Sequence, residues 1–263
     1  MKCKKCLNKD SSRREWCHSC YCFLLRKGLI QKLFKKILPS HFTDTQQNYI
    51  LGSMLGDGCI YRNKPTHMPY FVVNRNRIDK NYLLWESKIL GDFVCKTFDK
   101  DTFDKRTNKI YHSSSFRTHR CKLLVDHYEL WYPNDIKQLP VKLELNPFSL
   151  AIWFADDGHI RPTCSPWRMR LKLSTHGFKI DEVERLTHLL SIRYKEKFII
   201  AIDEQKYYID SSDAGTRAFC NEIDNYLPNS MNRKAYWRKP EACFYENIPG
   251  KNKRISRAKL KKP

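Results

Sequence analysis

Two apolar segments of helical length dominate the hydrophobic pattern of this chain, and each ends in an acidic residue followed by glycine. They are residues 50–58, ILGSMLGDG, and residues 150–158, LAIWFADDG. Because both are apolar on nearly every side, each predicted helix must be buried, and two such helices in one chain are expected to bury each other. Small residues that permit close packing lie one turn apart in both segments: Gly52 with Gly56, and Ala151 with Ala155.

The ends of these helices carry the candidate chemistry. Thr43 or Asp44 is predicted to cap the first helix and Asn146, before a proline, the second. The glycine after each acid is expected to leave the helix in a left-handed conformation. Asp57 and Asp157 then lie where the helix macrodipole disfavours negative charge, so they need a nearby cation. If the helices are parallel, a divalent metal between the two carboxylates would suit phosphodiester hydrolysis.

The same order of elements follows each apolar segment, which indicates an internal repeat. In the first half, strands are predicted at 59–62, 70–76, 96–102 and 109–117, with helices at 79–93 and 120–131. In the second half, strands are predicted at 159–161, 168–174, 198–203 and 206–210, with helices at 180–194 and 212–226. The repeat predicts a pseudo-twofold α/β (α+β) protein, in which each αββαββα half has a four-stranded antiparallel sheet with one open face. A pair of core helices that happen to end in Asp-Gly turns is the alternative, which the longer repeat disfavours.

Basic and amide side chains lie on or beside the predicted strands. Arg168, Arg170 and Lys172 alternate along one strand and so are expected to share a face. Arg and Asn suit the base edges of the DNA major groove, and Lys suits phosphate. An ordinary solvated basic face is the alternative. The full set predicted to bind DNA is Arg62, Asn74, Arg75, Arg117, Arg161, Arg168, Arg170 and Lys172.

Charge and composition support a polyanionic partner. The chain of 263 residues has 49 Lys plus Arg against 28 Asp plus Glu, a formal net charge of +21. A basic ribosomal or membrane-surface protein would share that charge but not the two acidic motifs. No apolar run is long enough to span a bilayer, and no secretory signal is recognisable. We therefore expect a reducing intracellular compartment, where the 11 cysteines are thiols or metal ligands.

A separate metal site is predicted at the amino terminus. Cys3, Cys6, Cys17 and Cys20 form two Cys-x-x-Cys pairs, the spacing of a structural zinc site, within a module of residues 1–24. Unligated thiols in a basic terminus are the alternative. Residues 25–44 are predicted to form a basic amphipathic linker, and residues 241–263 a basic tail that adds DNA affinity.

The two apolar motifs with their acids resemble those of the LAGLIDADG homing endonucleases, specifically the single-chain members that carry two copies. The resemblance covers about residues 45–240, divided into repeats at 45–145 and 146–240, and departs from the family at Leu55 and Ala155, where the sixth motif position is usually Asp. It implies that Asp57 and Asp157 bind catalytic magnesium, with Gly56 and Asp156 in the same metal site. It also implies that Lys137 and Lys234, which follow the last helix of each half, act in catalysis by organising water or stabilising the reacting phosphate.

The resemblance implies a monomeric, site-specific endonuclease that cuts double-stranded DNA at a long asymmetric target, with each half cutting one strand. The principal alternative is an RNA-binding maturase that helps an intron to splice on the same scaffold. A transcription regulator built from a disused endonuclease is a third possibility. Retention of an acid in both motifs favours the nuclease, because a protein that only binds has no need for two neighbouring carboxylates. The compartment would be the cytoplasm or nucleoid, or an organelle matrix for an organelle-encoded protein.

Overall fold

The computed structural model describes residues 18–27, 38–162, 168–203 and 205–238, and the chain divides into two units, Met1–Pro39 and Ser40–Pro263. The described part of the first unit is mainly helix α1 (His18–Arg26), which contains Cys20. The middle of the predicted linker (residues 28–37), the whole tail and the other three predicted zinc ligands lie outside the described ranges. None of the helices in those ranges is both long and apolar enough to cross a membrane.

The larger unit contains the repeat. Its first half consists of α2 (Asp44–Leu55), β1 (Cys59–Tyr61), β2 (Tyr70–Asn76), α3 (Lys80–Leu90), β3 (Val94–Asp104), β4 (Lys109–Thr118) and α4 (Leu123–Trp131). Its second half consists of α5 (Pro147–Asp157), β5 (Gly158–Pro162), β6 (Met169–Ser174), α6 (Ile180–Tyr194), β7 (Phe198–Asp203), β8 (Lys206–Ser211) and α7 (Asp213–Ile223). The strands form two four-stranded antiparallel sheets, ordered β1-β2-β4-β3 and β5-β6-β8-β7. The predicted α+β fold is therefore confirmed.

Strand register shows how the two halves correspond. Cys59 pairs with Val72 in the first sheet, and His159 pairs with Lys172 in the second. Both members of the second pair lie 100 residues after their counterparts, as Asp157 lies 100 residues after Asp57. Residues of β2 and β6 that differ by 100 in number therefore occupy equivalent places.

The motif helices α2 and α5 pack directly against each other at the centre of this unit, and both are buried along most of their length. The prediction that small residues allow this contact holds for Gly52 and Gly56. However, the residues nearest to these glycines are Ser149, Ile152 and Asp156 rather than the two alanines of α5. At these two glycines, α2 and its cap therefore approach α5 at Ser149, Ile152 and Asp156.

The caps of the motif helices agree with the sequence, whereas the role of the terminal glycines does not. Thr43 and Asn146 each form a capping box at the start of their helix. Gly158 has φ −84° and ψ 150°, an extended conformation open to any residue. Glycine is needed there for space, because a Cβ would lie 2.6 Å from the carbonyl oxygen of Phe154. A Cβ at Gly58 would likewise lie 2.5 Å from Ser53 Oγ and 2.8 Å from the Ser53 carbonyl oxygen. Neither glycine has a positive φ, so the expected left-handed exit is wrong at both.

Candidate active site

The two motif acids lie at the same end of the paired helices but are held differently. Asp157 is the last residue of α5, so the helix itself fixes its backbone. Asp57 lies two residues beyond the end of α2, and its side chain is 44% exposed. Burial raises the pKa of Asp157 to about 7, and the negative charges of Asp57 and Asp156 add to that rise. The two acids are therefore close enough to repel each other, as two carboxylates that share a cation would be.

A buried arginine joins the ends of the two motifs. Arg75 donates from Nη1 to Asp57 Oδ2 at 2.9 Å and from Nη2 to Asp156 Oδ1 at 2.5 Å. Its Nε and Nη2 also donate to the two carboxylate oxygens of Glu86, both at 2.6 Å. The side chain of Arg75 is only 5% exposed, and the ring of Tyr82 lies 4.5 Å from its guanidinium carbon. One cation thus connects three carboxylates within the protein interior.

The position of Arg75 corrects its prediction as a DNA-binding residue. Along β2, Phe71, Val73 and Arg75 are buried, while Asn74 is exposed on the opposite face. Successive residues of a strand point to opposite faces, so Asn74 and Arg75 could not both lie on the open one. Its positive charge suggested a DNA contact, but the alternation of side chains along β2 directs Arg75 towards the helices.

The carboxylate of Asp156 is fully engaged by the protein. Its Oδ2 accepts hydrogen bonds from the backbone N–H of Asp57 at 3.2 Å and from Ser53 Oγ at 3.4 Å, and its Oδ1 accepts one from Tyr82 at 3.2 Å. Burial raises the pKa of Asp156, and Arg75 opposes that rise. Because its side chain is completely buried, Asp156 can offer a metal only its backbone carbonyl. This corrects the prediction that Asp156 belongs to the metal site, as far as its carboxylate is concerned.

Glu86 completes this network, which the sequence analysis missed. Its side chain is buried in α3 and accepts a hydrogen bond from Tyr49 at 3.1 Å. Burial raises the pKa of Glu86 to about 7, and Arg75 opposes the rise. A signal was present in the sequence, because Glu86 lies three and four residues from Leu83 and Leu90, on the apolar side of its helix.

The two predicted lysines lie at the ends of the motifs. Lys234 donates from Nζ to the carbonyl oxygens of Ala155 at 2.7 Å and Asp156 at 2.8 Å. Lys137 donates to the carbonyl oxygen of Gly58 at 3.4 Å. Burial lowers the pKa of Lys137 and lowers that of Lys234 to about 8, with nearby carboxylates opposing in both cases. Each lysine therefore supplies positive charge where the last carbonyls of a motif concentrate negative potential.

The donor set is suited to a hard divalent cation. In the described part of the chain, no group of three or more His, Cys, Asp and Glu side chains is arranged to hold a metal ion. Magnesium does not require one, because it keeps several waters and commonly binds one or two carboxylates together with substrate phosphates. Asp57 and Asp157 supply those carboxylates, and Gly56 has only backbone atoms to offer. Three of the four predicted zinc ligands, Cys3, Cys6 and Cys17, lie outside the described ranges, so that site has no geometry to compare.

The open face of the second sheet carries the predicted basic cluster, together with acids that the sequence analysis overlooked. Arg170 lies 3.1 Å and Arg161 3.9 Å from the carboxylate of Asp210, which is nearly buried between them. Lys172 lies 2.6 Å from Asp203 and 4.1 Å from the centre of the Tyr208 ring. Arg168 is exposed and directly precedes β6. These acids hold the basic side chains in defined positions on the sheet.

The first sheet presents a different open face. Arg117 pairs with Val72 and with Lys96, and Asn74 accepts a hydrogen bond from Ser115 Oγ at 2.8 Å. Lys96 is exposed and shares this face, although it was absent from the predicted set. Arg62 is held instead by the loop that follows β1, where it donates to the carbonyl oxygens of Pro65 and His67.

Comparison with known proteins agrees with this architecture. The profile described as the LAGLIDADG DNA endonuclease family matches residues 47–219. The chain belongs to this family. It is 27% identical over 237 residues to the probable intron-encoded endonuclease 1 of Wickerhamomyces canadensis, which covers 80% of this chain and 93% of the relative. It is also 27% identical over 192 residues to the cytochrome b mRNA maturase bI2 of Debaryomyces hansenii, which covers 70% of each.

The fold is similar to that of the homing endonuclease I-WcaI, solved bound to its DNA recognition sequence. The TM-score is 0.68 and the identity 21%, over 75% of this chain and 88% of that one. This likeness supports the two-sheet architecture independently of the motifs.

Proposed function

We propose that this protein is a site-specific, magnesium-dependent endonuclease of the homing type that acts as a monomer and cuts both strands of a long asymmetric DNA target. The observation that supports it most strongly is the convergence of Asp57 and Asp157 at one end of the paired helices. A member of this family that retains both acids has one candidate centre for each strand.

The residues of the site have distinct roles in this proposal. Asp57 and Asp157 would hold divalent cations, which when bound would supply polarisation of a phosphate and a lowered pKa for a water molecule. Lys137 and Lys234 place positive charge beside the reacting phosphates and near the carboxylates. The basic residues of the two open sheet faces bind the DNA on either side of this centre.

An RNA-binding maturase is the second candidate, and the likeness to a cytochrome b mRNA maturase is what favours it. The same basic sheet faces would then bind intron RNA, and the paired acids would have no chemical task. The two functions predict different consequences for loss of an acid, because only cleavage depends on the carboxylates. RNA splicing assisted equally by wild type and Asp157→Asn would identify the acids as dispensable for that activity.

We also propose that Cys3, Cys6, Cys17 and Cys20 hold a structural zinc ion. The paired Cys-x-x-Cys spacing supports this, since a segment this short rarely folds without a metal. The module would lengthen the contact with DNA through the basic residues around its cysteines.

Cleavage of a plasmid library tests the principal function directly. The protein is incubated with randomised DNA and Mg²⁺, and the cut ends are sequenced to recover a common target. We expect one long asymmetric sequence, cut in both strands, and no cutting when EDTA replaces Mg²⁺. Absence of any recurrent cut, by a protein that binds DNA tightly, would reject the nuclease.

A further inference from the structure

We propose that Arg75 is a positioning residue that fixes Asp57 against the second motif, so that the two cleavage centres are built unequally. The inference rests on the proposed nuclease function and concerns how one of its two acids is held. It follows from the contacts of Arg75, from where Asp57 lies relative to its helix, and from what the second half carries in the equivalent places.

Asp57 needs an external support that Asp157 does not need. The N–H groups of Gly56 and Gly58, on either side of Asp57, donate to the carbonyl oxygen of Ser53 in α2, but the N–H of Asp57 itself bonds to no helical carbonyl. Asp156 holds it twice instead. Its Oδ2 accepts the backbone N–H of Asp57 directly, and its Oδ1 binds Arg75, which donates to the Asp57 side chain. The first acid is therefore placed by the second motif.

The second half lacks this device. Residue equivalence across the repeat puts Thr175 in the place of Arg75, and its hydroxyl donates to the carbonyl oxygen of Tyr207 at 2.8 Å. Because α3 begins at Lys80 and α6 at Ile180, Leu186 takes the place of Glu86, and Leu186 is completely buried in the core. Gly56 takes the place of Asp156 in the first motif, and it has no side chain with which to reach Asp157. The network is one-sided in the sequence as well as in space.

Arg75 also affects the cation at this centre. A positive charge 2.9 Å from a carboxylate oxygen repels a divalent ion that binds the same carboxylate. Arg75 should therefore weaken metal binding at Asp57 while improving the geometry of cutting. A purely structural role would not separate these two effects.

The test replaces the network with the residues of the other half. The variant Arg75→Thr with Glu86→Leu removes one buried cation and one buried acid together. Arg75→Lys keeps the charge, but its single nitrogen has three donors and cannot reproduce the four hydrogen bonds that Arg75 makes from three nitrogens. Thr175→Val is the matched control in the second half.

Single-turnover cutting of each strand is followed on the recovered target with two labels. Asp57→Asn first identifies the strand that depends on Asp57. Mn²⁺ binding to the DNA-free protein is measured by electron paramagnetic resonance.

We expect the double variant to slow the Asp57-dependent strand at least tenfold more than the other strand, and to bind Mn²⁺ at least threefold more tightly. Arg75→Lys should fall between wild type and the double variant in the ratio of the two strand rates, and Thr175→Val should leave that ratio unchanged. Equal slowing of both strands, or weaker Mn²⁺ binding, would overturn the inference while leaving the nuclease intact. Wild type that cuts neither strand would instead reject the function on which it rests. If the double variant does not fold, the strand ratio of Arg75→Lys decides, and an unchanged ratio overturns the inference.

Discussion

Gly52 of α2 lies against the carbonyl of Ser149 in α5 so closely that a side chain could not be accommodated. A Cβ at Gly52 would overlap that carbonyl oxygen and would lie 2.8 Å from the Cβ of Ile152. The obstacle is largely backbone, which cannot rotate away as a flexible side chain would. Together with the equally close approach of Gly56 to Asp156, this contact limits the separation of the two motif helices near Asp57 and Asp157.

Gly52→Ala should separate the helices and destabilise the fold by about 1–3 kcal/mol, the usual cost of overpacking a core. Urea unfolding followed by fluorescence measures this free energy. Gly177→Ala is the matched control, because no atom lies within 4 Å of the added Cβ. We expect that control to leave the unfolding free energy nearly unchanged, and an equal loss in both variants would contradict the account of the helix contact.

Either Asp57→Asn or Asp157→Asn should abolish double-strand cleavage while leaving DNA binding largely intact. Each substitution removes a carboxylate that we propose binds the cation, yet neither residue lies on the open sheet faces. Supercoiled plasmid carrying the target separates nicked from linear product on a gel, and fluorescence anisotropy measures binding. Linear product formed at the wild-type rate by either variant would refute the assignment.

Arg170→Ala should relax sequence selection at particular base pairs, with a cost of about 1–3 kcal/mol there. Arg170 lies on the open face of β6, where an ion pair with Asp210 fixes its orientation. Lys88→Ala removes the same charge from an exposed position on α3, so it controls for non-specific attraction. Cleavage of a randomised target library by both variants is the measurement. If Lys88→Ala broadens the base preference and Arg170→Ala does not, the open face of β6 is not the face that reads DNA sequence.

Glu222→Gln should reduce the free energy of unfolding at neutral pH and make that free energy fall less steeply as the pH is lowered. Burial acts to raise the pKa of Glu222, but hydrogen bonds from Arg193 and Tyr194 outweigh it and lower the pKa. A carboxyl group with a lowered folded pKa stabilises above its unfolded pKa, and that contribution disappears as the pH falls through the folded value. We expect a loss of about 0.5–1 kcal/mol at pH 7 that vanishes in acid. Urea unfolding from pH 7 down to pH 3 measures it, with Glu129→Gln on the exposed side of α4 as control.

Freshly purified protein should contain one zinc ion per chain, and Cys3→Ser or Cys17→Ser should lose it, because four thiolates are needed to close a tetrahedral site. Elemental analysis gives the zinc content directly. Cys121→Ser is a suitable control, since Cys121 is buried in the larger unit, away from the paired cysteines in sequence. Zinc-free wild type, or zinc lost equally from the control, would contradict the proposed site.

The sequence alone determined the repeat, the paired helices and most strand positions. Strands β2 and β7 and helix α6 have the predicted bounds, and the others differ by a few residues at their ends. Hydrophobic periodicity and capping residues act within a few residues of one another, so they can be recognised without knowledge of the fold. The acids and both lysines were recognisable because the same pattern occurs twice.

Only the tertiary structure decided what surrounds those acids. Asp156 lies 81 residues after Arg75 along the chain, and the charge of Arg75 by itself pointed to DNA rather than to the interior. Whether a cation is solvated or buried depends on which carboxylates the fold brings to it, here Glu86, Asp156 and Asp57. The same holds for Gly52, whose need for glycine arises from close packing against Ser149 and Ile152 of the other half. Contacts of this kind form between distant segments, and local sequence preference carries no record of them.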